Sequence, residues 1–216
     1  MLIILDRLRE WYDQNLLDQQ QGFRPGRGTT DGIYLLKRLQ KISNITKKPM
    51  YALFIDLTAA FYHVNRDWLF SSIKQSLLFE LLHSLYSNTK TALDGDLDHV
   101  FKTFVGVIQG GPESPFLYNL YMDYVLRVFM LECSKMKIKF AKLKYLLPAQ
   151  ANTTHNETLG KYGQFSMDWI GYADDIVLIF DDDGSLQRGL ILLDKILTRF
   201  QLSINVSKTK TMIFSH

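Results

Sequence analysis

Cysteine is nearly absent from this chain: Cys133 stands alone among 216 residues. One thiol excludes an internal disulfide framework and any zinc site built on a cysteine cluster. Cys133 falls in a strongly apolar helical pattern, where a lone thiol reads as a small buried hydrophobe. Long apolar runs are missing too, and none approaches the roughly 20 residues that a membrane span needs, so no membrane partner is expected. No secretory pattern opens the chain, because Met1-Leu2-Ile3-Ile4-Leu5 runs straight into Asp6-Arg7. An intracellular setting is the expectation. A large charge of one sign is also lacking, since 25 basic and 22 acidic residues leave a net +3. That small surplus does not demand a nucleic-acid partner, but it suits acidic ligands set within a basic groove. His63, His83, His99, His155 and His216 show no metal-ligand spacing with one another or with Cys133.

What is present is enough apolar residue, 47% of the chain, to bury a core as one large domain or two lobes. Leu5, Leu8 and Tyr12 mark an amphipathic helix over residues 2–17. Gln21-Gly22-Phe23-Arg24-Pro25-Gly26-Arg27-Gly28 breaks it, and Thr29-Thr30-Asp31 offers caps for a second helix. Tyr51-Ala52-Leu53-Phe54-Ile55 reads as a strand ending in Asp56, followed by a helix over 66–86 and a polar hairpin through Asp94-Gly95-Asp96. A short strand over 104–108 feeds Gln109-Gly110-Gly111-Pro112. Ser114-Pro115 then caps a helix whose stripe is Leu117, Leu120, Tyr121, Tyr124, Val125 and Val128. Residues 149–163 read as an exposed loop. Asp181-Asp182-Asp183 reads as a solvated turn before a helix capped by Ser185, and strands over 203–206 and 211–214 close the chain.

The chemistry-bearing pattern is Gly171-Tyr172-Ala173-Asp174-Asp175, set between Trp169-Ile170 and Ile176-Val177-Leu178-Ile179-Phe180. Two apolar runs around small and acidic residues predict a β-hairpin with both carboxylates at its tip. Adjacent carboxylates repel, and a divalent cation beside them keeps both ionised. Asp56, at the end of a second apolar strand far upstream, supplies the further carboxylate that two-metal phosphoryl transfer requires. The pattern is that of a nucleic-acid polymerase palm. Strands bearing carboxylates, with helices between them on one face, predict an α+β layer.

In chain order the sequence offers a Gly/Arg loop, an Asp-ended strand, a Gln-Gly helix start, an Asp-Asp hairpin and a lysine-bearing tail. The blocks are Gln21 to Arg27, Phe54-Ile55-Asp56-Leu57-Thr58-Ala59-Ala60-Phe61, Gln109 to Pro115, Tyr172 to Asp175, and Ile204 to Lys210. Together they resemble the reverse transcriptase domain of non-LTR (LINE-like) retrotransposons, over nearly the whole chain. The resemblance implies a right-hand palm, an antiparallel sheet with helices on one face, plus fingers and with the thumb absent after Lys208. Residues 1–50 would form a fingers-like segment and 51–216 the palm, with residual fingers elements at about 66–100. It implies an RNA-directed DNA polymerase core working in nucleus and cytoplasm on an RNA template, a DNA primer and dNTPs. Asp56, Asp174 and Asp175 would hold two Mg²⁺ ions, with Mn²⁺ a possible substitute. Phe61 would exclude a 2′-hydroxyl, although it also reads as a core aromatic beside Leu57. Gln109 and Gly110 would line the nascent base pair, or simply turn the chain before a helix. Arg24 and Arg27 would clamp phosphates unless they are solvated loop residues. Lys208 would assist the pyrophosphate, with Lys210 close enough to compete for the role.

Tyr62, Ile108, Gly111 and Glu113 stand where such elements usually carry Asp, Arg, Cys and an apolar residue. Glu113 is expected to add negative charge beside the path of template or nucleotide, weakening phosphate affinity. The alternative to a working polymerase is therefore a catalytically weak or dead retroelement-derived fragment that still binds nucleic acid.

Overall fold

The structure, a computed structural model, describes residues 11–74, 79–92, 99–146, 162–166 and 168–214. After a helical stretch over 11–15 come α1 (Thr29–Thr46), β1 (Met50–Ile55), a 3-10 turn (Ala60–His63), α2 (Arg66–Ile73) and α3 (Phe79–Ser87). Then follow β2 (Lys90–Ala92), β3 (Val100–Lys102), α4 (Ser114–Lys135), β4 (Lys142–Leu146) and β5 (Tyr162–Ser166). The chain continues with β6 (Trp169–Tyr172), β7 (Asp175–Phe180), α5 (Asp183–Arg199) and β8 (Lys210–Phe214).

The central sheet runs β6-β7-β1-β8, antiparallel at every step. β1 lies inside it because its apolar run can be covered on both faces. Tyr51, Leu53 and Ile55 face one core, while Met50, Ala52 and Phe54 face another, as the two-residue period of a strand requires. Helices α4 and α5 cover the first face, the layer expected of an α+β palm. α4 is buried almost all round, with Leu117, Tyr121, Val125 and Phe129 inaccessible to solvent. The second face is covered by α1 through Leu35, Leu36, Leu39 and Ile42. Gly189 lets α5 sit directly on the sheet, since a Cβ there would lie 2.5 Å from the ring of Phe180.

Several local expectations shift. The α1 cap is Gly28, whose N–H donates to Asp31 Oδ2 at 2.8 Å. Glu113, not Ser114, holds the cap position of α4, because the Ser114 hydroxyl donates back to the Ile108 carbonyl. Asp182 caps α5, accepting the Ser185 N–H at 2.7 Å and its hydroxyl at 3.0 Å. These bonds, the backbone one foremost, hold its carboxyl below the usual range. Asp181 meets Lys48, so the acidic run is more than a solvated turn.

Residues 104–108 form no strand beyond one bridge between Val105 and Asn65. The buried Arg66 guanidinium takes the Gly106 carbonyl at 2.9 Å and the Thr103 carbonyl at 2.7 Å instead. Residues 203–206 keep only the Ile204–Leu57 bridge. The helix expected over 66–86 is described as α2 and α3, with 75–78 outside the described residues. β2 and β3 pair as foreseen, the tip at Asp94-Gly95-Asp96 lying outside them. Of the expected loop, 149–161 lies outside, whereas Tyr162 and Gly163 belong to β5, paired with β4 in a hairpin the sequence pattern did not reveal. The helix expected from residue 2 is described only from Trp11. No helix among the described residues is long and apolar enough to cross a membrane.

Phe180 is fully buried and stacked on Phe140 at 5.0 Å between centroids. Phe180→Ala is expected to lower unfolding free energy by about 3–5 kcal/mol, read as a shift of the urea midpoint at unchanged slope.

Candidate active site

The β1–β7 register places the carboxylates. Ile55 lies opposite Ile176, so one further step sets Asp56 opposite Asp175, the first residue of β7. Tyr172 pairs with Asp175, which leaves Ala173 and Asp174 as the two-residue turn between β6 and β7. Strand alternation puts Asp56 on the face of Met50, Ala52 and Phe54, and Asp175 on that of Val177 and Ile179, which is the same face. All three carboxylates thus share one end of the sheet, where Asp174 and Asp175 are exposed and Asp56 is half-buried.

The C-terminal segment wraps this end. The Asp56 carbonyl accepts the Asn205 N–H at 2.8 Å, and its own N–H donates to Thr209 Oγ1 at 3.3 Å. Lys208 is thereby brought alongside, with Nζ 3.7 Å from Asp56 Oδ2. Lys210 instead donates to the Ser207 carbonyl, which separates the two lysines. Burial first, then the charges of Asp174 and Asp56, push the Asp175 carboxyl above its usual range against the pull of Lys208. Among the described residues no three His, Cys, Asp or Glu form a ready metal-binding group. The set is nonetheless all-oxygen, anionic and self-repelling, the donor chemistry that suits Mg²⁺ or Mn²⁺.

Beside it, Phe61, Tyr62, Ile108, Gln109 and Gly110 line a groove of about 400 Å³. Phe61 stacks on Tyr118 at 4.3 Å and 11°, so it is partly core and partly groove floor. Tyr118 is fully buried, and its hydroxyl has no hydrogen-bond partner among the described residues. Burial, followed by the charge of Asp174, holds that hydroxyl's pKa well above the ordinary tyrosine value. Tyr62 donates to Gln109 Oε1 at 2.6 Å, giving the unusual residue a partner in the groove. Gly110 has φ +77°, a conformation that favours glycine. Glu113 corrects an expectation: it is 1% exposed, accepts the Tyr86 hydroxyl at 3.2 Å and is not among the residues lining the groove.

Arg24 and Arg27 are engaged elsewhere. Arg24 is buried, paired with Asp13 at 2.7 Å and donating to the Leu17 carbonyl at 2.9 Å. Arg27 pairs with Asp18 at 2.8 Å and holds that carboxyl below its usual value. Both guanidiniums brace residues 13–20, and the structure does not gather them with the carboxylates.

The sequence model of the reverse transcriptase (RNA-dependent DNA polymerase) family matches residues 2–214. The chain belongs to the reverse transcriptase family. The retrovirus-related Pol polyprotein from type-2 retrotransposable element R2DM of Drosophila melanogaster is 25% identical over 203 residues. That match covers 90% of this reverse transcriptase domain and 17% of the polyprotein. Telomerase from Candida albicans, solved with a fragment of telomeric RNA, superposes with TM-score 0.63 at 13% identity. It covers 97% of this chain and 33% of its own. Telomerase from Candida tropicalis gives TM-score 0.64 at 11% identity, over 98% of this chain and 33% of that one. At such identities the likeness shows the fold alone. The domain spans well under two thirds of each of these proteins.

Three residues at this end of the reverse transcriptase domain escaped sequence reasoning. Gln20 bonds to the Ala173 peptide, Thr209 to the Asp56 N–H, and Tyr118 lies beneath Phe61. Each looks ordinary in sequence, a loop glutamine, a turn threonine and one aromatic of a long apolar helix, and each acts through a contact with a distant segment.

Because the folded chain holds Asp175 above the ordinary carboxylate value, ionising it costs stability. That cost is full above its folded pKa and absent below its unfolded one. Asp175→Asn is therefore expected to raise the thermal midpoint in EDTA at neutral pH, with the gain fading on acidification. Paired melts across pH check this, and an equal or lower neutral midpoint for the variant contradicts the repulsion.

Proposed function

We propose that this domain extends a DNA primer on an RNA template by metal-assisted nucleotidyl transfer from dNTPs. The observation that carries the reading is the β1–β7 register, which sets Asp56 beside Asp175 with Asp174 in the adjoining turn. Family membership supports RNA-directed DNA polymerase chemistry, and the RNA-bound telomerase of like fold supports an RNA partner. In this reading residues 1–50 serve as a fingers-like segment and 51–216 as palm, with residual fingers elements at about 66–100.

Asp56, Asp174 and Asp175 supply the oxygen donors for divalent cations. Bound there, Mg²⁺ would lower the pKa of the primer 3′-hydroxyl and offset charge on the pyrophosphate. Lys208, tethered beside Asp56, offers a cation to departing phosphate. Phe61, braced by Tyr118, presents a flat apolar wall against a 2′-hydroxyl, while Gln109 and Gly110 let backbone approach the base pair. Arg24 and Arg27 enter only through the segment they hold. Burial of Glu113 withdraws one of the three grounds for a non-catalytic remnant, leaving Ile108 and the absent thumb as its support.

The test is primer extension on poly-rA/oligo-dT with dTTP and Mg²⁺, beside Asp174→Asn. Incorporation is expected from the wild-type domain and none above background from the variant at unchanged fold. Undiminished extension by Asp174→Asn would overturn the assignment. Phe61→Ala is expected to raise the preference for rNTP over dNTP on the order of tenfold, measured as the ratio of kcat/KM values.

A further inference from the structure

We propose that Gln20 is a positioning residue that locks the Ala173-Asp174 turn and so fixes where two of the three carboxylates stand. This rests on the active-site reading above.

Ala173 has φ +58°, a left-handed conformation that costs a residue with a Cβ about 1–2 kcal/mol and persists only where surroundings impose it. The imposing group is one buried amide. Gln20 Oε1 accepts the Ala173 N–H at 3.1 Å, and Gln20 Nε2 donates to the Ala173 carbonyl at 3.3 Å. Oε1 also accepts the Gly22 N–H at 2.9 Å. Two N–H groups converge on that atom, so it is the oxygen, and the amide has one orientation. Gln20 is 1% exposed, and its bonds are sheltered from competing water.

The backbone around it completes a clasp. Gly171 N–H donates to the Gln19 carbonyl at 3.0 Å and Gln21 N–H to the Gly171 carbonyl at 2.7 Å, a parallel bridge along the outer side of β6. Gly22 approaches so closely that a Cβ would lie 2.4 Å from Ala173 N. The clasp is anchored to α4, where Asn119 Nδ2 donates to the Gly22 carbonyl at 2.8 Å. A free hairpin carrying Asp174 and Asp175 opposite Asp56 would relax by splaying its like charges apart. Gln20 removes that freedom from a site over 150 residues away in sequence. Its side-chain bonds go to the Ala173 peptide and Gly22, and it does not line the groove. Its effect therefore falls on the rate of the chemical step and on cation affinity, not on nucleotide binding.

Gln20→Met keeps the length and loses all three bonds. In primer extension its kcat is expected to fall on the order of tenfold while KM for dTTP moves less than about twofold. Mn²⁺ binding followed by electron paramagnetic resonance is expected to weaken, and the Ala173 amide to exchange faster with solvent. Gln20→Glu adds a control for folding. A protonated carboxyl offers the same acceptor and donor pair, whereas an ionised one offers acceptors only. The variant-to-wild-type rate ratio should therefore climb as pH falls, read at a temperature where circular dichroism shows both proteins fully folded across the pH range, so that loss of fold does not account for the trend. Wild-type kcat and Mn²⁺ affinity in Gln20→Met, or a flat ratio in Gln20→Glu, overturn the clasp while Asp174→Asn remains inactive. Full activity of Asp174→Asn removes the site assignment itself, whatever Gln20 does.

Discussion

The antiparallel register between β1 and β7 is the constraint on which the rest depends. A slip of one residue would turn every side chain of β1 to the other face, exchanging the α4/α5 core for the α1 core. It would also carry Asp56 away from Asp175. The same pairing that seals two hydrophobic layers therefore fixes the distance between carboxylates, and apolar burial does the aiming.

Both ends of the described chain converge on that corner. From one side the 203–209 segment is tied to the Asp56 backbone and brings Lys208 alongside. From the other, residues 19–22 run along β6 and hold the Ala173 peptide. The corner is electrostatically costly without a cation, since burial first and the charges of Asp174 and Asp56 next push the Asp175 carboxyl up, against the pull of Lys208. Stability given up at a self-repelling site is recovered in the apolar layers beneath it.

The groove follows the same division between core and function. Phe61 leans on a buried tyrosine, so its ring position is set by packing as much as by any ligand. The turn Gln109-Gly110-Gly111 is shaped by Gly110 at positive φ and by Ser114 reaching back to Ile108. Glu113 is drawn inward to Tyr86, away from the residues that line the groove.

The sequence by itself determined the strands around Asp56 and Asp174-Asp175, the long apolar helix after Ser114 and the family. Those depend on local periodicity, turn composition and motif order, all carried by neighbouring residues. Caps slipped, by one residue at Gly28 and Glu113 and by three at Asp182, because several polar side chains close together can each serve and the competing bonds decide. Only the tertiary structure decided that Arg24 braces a loop, that Glu113 is buried, that Lys208 and not Lys210 meets Asp56, and that Gln20 bonds the Ala173-Asp174 turn. Each of those outcomes is a contact between segments far apart in the chain. A side chain's sequence neighbours do not record which distant backbone donor or acceptor folding will bring within 3 Å or so of it.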